Sequence, residues 1–305
     1  MHGLPGHGYM GVQLFFAISG FLITTLLLRE AARNGSISLK NFFIRRSLRI
    51  FPLYFTTLAL YCFLVYLMAR GTPAAQAFYS NLPYFLTYTS NWFVGTSGTF
   101  AFAWSLAAEE QFYATWPAAL QFLRPKRAAW LIVILLALAI SSRIFLSSTQ
   151  FPLRHLPMAI TWGCLAALIL HQQKGFVALW HLTGNRFSSV VLLIACLLSI
   201  ATPVAIHFFF ASLVVTCVIR EDHALAGFLR HPWVVHIGKI SYGIYLLHGL
   251  VYDALGVSAT YLPFLPKAHG IAGFVTATFL TILISTLSFH YFEGPFLRLK
   301  SKFAA

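Results

Sequence analysis

Long apolar runs return along the whole chain, and they decide its fold class before any motif is read. Stretches of roughly 17 to 22 mostly apolar residues, long enough for a helix to cross the hydrocarbon core of a bilayer, fall near 10–28, 51–69, 104–122, 128–146, 156–172, 188–202, 203–219, 234–252 and 270–291. In lipid a backbone must satisfy its own hydrogen bonds, which helices do within one segment. The expected fold is an all-α polytopic membrane protein, a bundle of about nine transmembrane helices plus a basic interfacial helix. A single integral-membrane domain would cover 1–305. With 59% hydrophobic and 9% charged residues, the chain carries far more apolar sequence than a soluble core needs. Only Ala201-Thr-Pro-Val separates the sixth and seventh spans, so one long kinked helix is the competing reading. The segment 79–93 is aromatic but short and rich in Thr, Ser and Asn, which predicts a re-entrant or interfacial piece.

The net charge of +14 would suggest nucleic acid in a soluble protein. Here the cations sit in short loops, as the positive-inside rule requires, and no nucleic-acid partner is expected. Arg29, Arg33, Lys40, Arg45, Arg46 and Arg49 fall in one loop. Arg124, Lys126 and Arg127, then Lys174 with Arg186, Arg220 with Arg230, and Arg298 with Lys300 and Lys302 follow on the same side. The alternate loops hold few cations, Arg70 and Lys267 among them, so the first set and the C-terminus are expected in the cytoplasm. Nine spans then place Met1 outside, with nine residues before the first span and no signal peptide. This layout expects a further helix before Met1, the alternative being a short tail translocated by itself. Cys62, Cys164, Cys196 and Cys217 lie in apolar runs without CxxC pairing and read as packing residues.

Between 41 and 54, Arg45, Arg46 and Arg49 share one face of a helix whose other face carries Ile44, Leu48 and Phe51. Ser38 is placed to cap it. Anchoring to anionic lipid explains such a stretch without any chemistry. Ionisable groups within spans are costly and become functional candidates. Glu109 and Glu110 lie two turns inside one helix, with Ser105 one turn before Glu109 and Tyr113 one turn after. A buried ion pair with Arg143 or Arg154 is the structural alternative. Ser19-Gly20 makes a small polar notch in the first span, most simply helix packing. His248 lies near a span end with Ser241 and Tyr245 on a neighbouring face, and taken singly reads as a hydrogen-bonded packing residue. No compact His, Cys or acid spacing predicts a metal, and no GxSxG or Walker loop is present.

Five blocks in order resemble the membrane acyltransferase-3 family of bacterial O-acetyltransferases. Gly11-Val-Gln-Leu-Phe-Phe-Ala-Ile-Ser-Gly-Phe-Leu-Ile23 is similar to its opening, and Phe43-Ile-Arg-Arg-Ser-Leu-Arg-Ile-Phe-Pro-Leu-Tyr54 to its paired-arginine block. Trp104-Ser-Leu-Ala-Ala-Glu-Glu-Gln-Phe-Tyr113, Ile240-Ser-Tyr-Gly-Ile-Tyr-Leu-Leu-His248 and Tyr291-Phe-Glu-Gly-Pro295 complete the match. The resemblance implies a bundle of about ten helices, the first carrying an arginine and a catalytic histidine. His2 stands at about the right distance before Gly11, and the arginine has no counterpart. It implies transfer of an acyl group, usually acetyl, from cytoplasmic acetyl-CoA or another acyl-CoA to a carbohydrate or glycolipid hydroxyl at the outer face of a bacterial inner membrane. His2 and Glu109 would be catalytic, and Arg46 and Arg49, with Ser19, would hold the acyl-CoA. Ser105, Tyr113, Arg154 and His248 would support them. A transporter or flippase of an acyl donor or glycolipid, or an inactive truncated acyltransferase, are the competing readings.

Overall fold

The computed structural model describes residues 7–95, 97–145, 156–202, 204–261 and 270–303. These residues form helices and turns with no strand. The helices are α1 (His7–Asn34), α2 (Leu39–Met68), α3 (Pro73–Leu86), α4 (Ser90–Phe93), α5 (Trp104–Phe122), α6 (Pro125–Phe145) and α7 (Met158–Leu170). They continue as α8 (Gln173–Thr183), α9 (Ser188–Leu198), α10 (Ala205–Ile219), α11 (Ala226–Leu229), α12 (Pro232–Tyr261), α13 (Ile271–Leu287) and α14 (Gly294–Lys300). Each of the nine runs picked out by hydropathy falls on a helix. The chain is an all-α multi-pass membrane protein.

Five helical segments, Gly8–Asn34, Leu39–Met68, Pro125–Phe145, Pro232–Ala259 and Ile271–Lys300, are long and apolar enough to cross a membrane, and a sixth is added if the bent pair α8–α9 is one span. The helices α7 and α10 are strongly apolar but only 13 and 15 residues long, so length alone does not carry them across. The sixth and seventh predicted spans are separate helices, α9 and α10, rather than one kinked rod. Large apolar side chains such as Phe63, Trp130, Leu198 and Phe279 stay exposed, as expected where the solvent is lipid.

The expectation of a separate interfacial helix before the second span needs correction. Ser38 caps the helix as predicted, accepting from the Asn41 N–H, but α2 then runs unbroken for 30 residues through Pro52. At 1.5 Å per residue that is about 45 Å, beyond the roughly 30 Å hydrocarbon thickness. The basic first turns are therefore an extension of the span itself.

The chain divides into two compact units, residues 1–37 with 108–229, and 38–107 with 230–305. In the first, α1, α7 and α10 pack against one another. Gly20 and Gly163 bring α1 and α7 together, because a Cβ on Gly20 would strike the Ile160 carbonyl and one on Gly163 the Ala17 carbonyl. The Cys164 thiol points at the Gly20 carbonyl oxygen, 3.6 Å away. The notch at Ser19-Gly20 is thus a packing surface, as read from the sequence, on the Gly20 side.

In the second unit, α2 and α12–α14 pack with the short helices α3 and α4. The segment 79–93 is the end of α3, a turn and α4, and the Tyr79 hydroxyl donates to the Cys62 carbonyl on α2 at 2.8 Å. An aromatic cluster centres on the fully buried Tyr54, which stacks on Tyr88 at 4.4 Å and neighbours Phe100 at 5.7 Å. Tyr88 and Phe100 hold φ values of 53° and 62°, a region costly for side chains that lack the freedom of glycine. Packing around Tyr54 and its hydrogen bond to the Phe85 carbonyl, 2.8 Å, offset that cost. Tyr54→Phe should lower stability by about 1 kcal/mol, read as a reduced thermal midpoint in detergent. An unchanged midpoint would show that the hydroxyl is dispensable.

Candidate active site

Within the first unit, α5 carries Glu109 and Tyr113 one turn apart, so both side chains stand on the same face. Glu109 is 3% exposed. Its Oε1 accepts from the Tyr113 hydroxyl on its own helix and from the Ser19 hydroxyl on α1. Ser19 and Tyr113 also lie within 2.5 Å of each other, closing a three-membered polar cluster. Farther along the same helix pair, the Trp116 indole N–H donates to the Thr24 hydroxyl at 2.8 Å. A carboxylate otherwise too costly at this depth is held by two neutral donors. The predicted polar stripe thus exists at Glu109 and Tyr113, and Ser19 joins it. From the sequence Ser19 reads as helix packing and, by the resemblance, as an acyl-CoA contact; neither reading pairs it with Glu109, because that partner is 90 residues away. Arg143 donates to the Ala139 and Leu156 carbonyls at 3.2 and 3.3 Å. Arg154 and His2 lie outside the described residues.

Ser105, at the start of α5 and in the second unit, pairs with the Tyr245 hydroxyl of α12 at 2.6 Å. Tyr245 donates in turn to the Phe102 carbonyl, also at 2.6 Å. His248 is exposed, its Nδ1 is 2.6 Å from the Tyr245 carbonyl, and its ring neighbours Phe102 at 5.1 Å. This is the hydrogen-bonded histidine expected from sequence, at the surface rather than inside.

The basic end of α2 belongs to a larger cationic cluster in the second unit. Arg45 donates to the Phe303 carbonyl at 2.7 Å. Arg46 lies over the Phe42 ring, 5.8 Å from its centroid, and Arg49 is exposed. Lys300 on α14 feels the charges of all three arginines. One acid enters this field. Glu293 is buried, accepts from the Ser288 hydroxyl at 3.3 Å and feels Arg49. It sits at the end of a π-helical stretch, Ser288–Glu293, between α13 and α14. Such wide turns shift side chains off the regular helical face and often mark functional positions. Glu293 falls within the Tyr291–Pro295 block of the resemblance, but nothing singles it out there, and nothing local points to Arg49 as its neighbour.

Two features thus define the class: a multi-pass helical membrane protein with a hydroxyl-bound buried carboxylate in one unit and a cationic cluster in the other. The chain belongs to the acyltransferase domain family, whose profile matches residues 2–290. It is 29% identical over 329 residues to the peptidoglycan O-acetyltransferase OatA of Listeria monocytogenes, covering 94% of this chain and 51% of that protein. It is 26% identical to the putative peptidoglycan O-acetyltransferase YrhL of Bacillus subtilis, covering 94% of this chain and 50% of the relative. It is also 29% identical to nodulation protein 10 of Rhizobium leguminosarum, covering 97% and 84%. The chain spans about half the length of the first two of these relatives. No solved structure matches it.

Proposed function

We propose that the chain is an acyl-CoA-dependent O-acyltransferase that moves an acetyl group from cytoplasmic acetyl-CoA to a carbohydrate or glycolipid hydroxyl at the outer face of a bacterial inner membrane. The observation that carries this reading is the buried Glu109 held by Ser19 and Tyr113, in a family of acyltransferases. The names of two relatives supply the acceptor class.

The reaction needs a base. His2 takes the proton of the acceptor hydroxyl, whose oxygen attacks the thioester carbonyl; the tetrahedral intermediate collapses, expelling CoA as thiolate and leaving an ester. Glu109 orients that histidine and balances the imidazolium charge. Arg46 and Arg49 bind the CoA phosphates by charge-assisted bonds, with Lys300 adding to their field; Ser19 is assigned a contact to the acyl-CoA by the resemblance. Ser105, Tyr113, Arg154 and His248 support these groups. The C-terminus lies in the cytoplasm, which puts the cationic cluster on the side where acyl-CoA is found.

The test is release of free CoA thiol, with acetylated glycan as co-product, when membranes carrying the protein meet acetyl-CoA. Thiol release without glycan acetylation, or neither, rejects the reading. In the same assay Arg46→Ala with Arg49→Ala should raise the KM for acetyl-CoA about tenfold or more, since each lost phosphate contact is worth roughly 1–2 kcal/mol. An unchanged KM would return both arginines to lipid anchoring.

A further inference from the structure

A cavity of about 360 Å³ opens in the first unit where α1, α7 and α10 end together and α8 begins. Its walls are mixed. Leu28, Phe176 and Ile219 give apolar surface, while Thr25, Arg29 and His171 contribute polar groups. The Thr25 hydroxyl is buried without a hydrogen-bond partner. Arg29 and His171 are exposed, and among the described residues their side chains make no hydrogen bond or ion pair. A cation, a second potential donor and an unsatisfied hydroxyl therefore share one hole that has room for a small ligand. Buried polar atoms are rarely left unpaired, so an unpartnered hydroxyl on a residue that lines a cavity points to an absent ligand.

The depth of the cavity selects the ligand. Arg29 stands in the last turns of α1, the end that also carries Arg33, and so at headgroup level if α1 crosses the bilayer. The neighbouring α8 has no buried residue and is bent by 79° from α9. If α9 runs along the membrane normal, α8 lies in the interface plane. The cavity mouth is then bathed in lipid headgroups, and its lower wall is apolar.

We propose that this cavity is a binding site for an anionic phospholipid: Arg29 and His171 hold the phosphate, the Thr25 hydroxyl donates to a glycerol ester or phosphate oxygen, and the start of an acyl chain lies along Leu28, Phe176 and Ile219. The lining shares no residue with the Glu109 cluster or with the arginines of α2, and the proposal stands whether or not the acyltransferase reading does.

The full chain, purified in detergent, is titrated with phosphatidylglycerol or phosphatidylcholine and followed by native mass spectrometry and thermal unfolding. Phosphatidylglycerol should bind with one-to-one stoichiometry, survive delipidation better than phosphatidylcholine and raise the thermal midpoint, because a ligand bound only to the folded state stabilises it. Arg29→Gln with His171→Gln should weaken phosphatidylglycerol binding about five- to tenfold, whereas Arg33→Gln should leave it nearly unchanged. Thr25→Leu removes the hydroxyl and narrows the cavity without altering charge, and should also weaken binding, so the proposal stays testable if the double variant misfolds. Equal retention of the two lipids, or undiminished binding in Thr25→Leu, overturns it. So does displacement of bound phosphatidylglycerol by acetyl-CoA that depends on Arg29, which would make the cavity a donor subsite.

Discussion

Glu109→Gln is expected to lower acetyl transfer about a hundredfold or more, within the range for loss of a group that supports proton transfer, while leaving the protein folded. Glutamine has nearly the same shape and keeps a carbonyl oxygen to accept from Ser19 and Tyr113, so the helix pairing of α1 and α5 survives. What disappears is the negative charge. Ser19→Ala and Tyr113→Phe each remove one donor and leave the carboxylate, and should cost about tenfold or less. If instead Glu109→Gln turns over at the wild-type rate while Ser19→Ala and Tyr113→Phe lower the thermal midpoint, the cluster is a structural rivet and the proton-transfer reading fails. Measuring rate and midpoint on the same preparations separates the two outcomes.

The second large effect is one of packing. Gly163→Ala, or Gly20→Ala, puts a methyl group where the facing helix already has a backbone carbonyl, that of Ala17 or Ile160. Backbone cannot swing aside as a flexible side chain can, so α1 and α7 must separate. Close approach is also what holds apolar helices together in lipid, where no hydrophobic force drives them. A cost of about 2–3 kcal/mol is expected, seen as a drop of roughly 5–10 °C in the thermal midpoint. The control is Gly11→Ala on the same helix, where a Cβ meets nothing within 4 Å and stability should hold or rise slightly because alanine favours helix. Equal midpoints for Gly163→Ala and Gly11→Ala would mean that the crossing relaxes freely.

Much of this protein was legible before its structure, for a physical reason. Apolar run length and the placement of Lys and Arg are local quantities, and in a bilayer they leave only the helix as an option. That is why every hydropathy run coincides with a helix, and why Ser38 could be named as a cap from its place before the basic run. Where the structure departs, local rules were insufficient. The basic stretch 41–54 reads as an interfacial helix apart from the span, yet α2 runs on through Pro52, because neighbouring turns and packing re-satisfy the backbone that proline frees. The left-handed Tyr88 and Phe100 carry no sequence signal, since it is packing around Tyr54, stacked for Tyr88 and tilted for Phe100, that holds them.

The site divides in the same way. The sequence by itself determined that Glu109 and Tyr113 share a helix face and that Arg45, Arg46 and Arg49 form one basic stretch, because both follow from the 3.6-residue period. Only the tertiary structure decided that Ser19 closes the Glu109 cluster, that Ser105 turns to Tyr245, that Lys300 and Glu293 join the arginines, and that Thr25, Arg29 and His171 face one cavity. Across helices the partners in these groups lie roughly 90 to 250 residues apart along the chain, beyond any helical period, and contacts over such separations are fixed by which helices pack together; only Thr25 and Arg29, one turn apart on α1, share a face by the helical period.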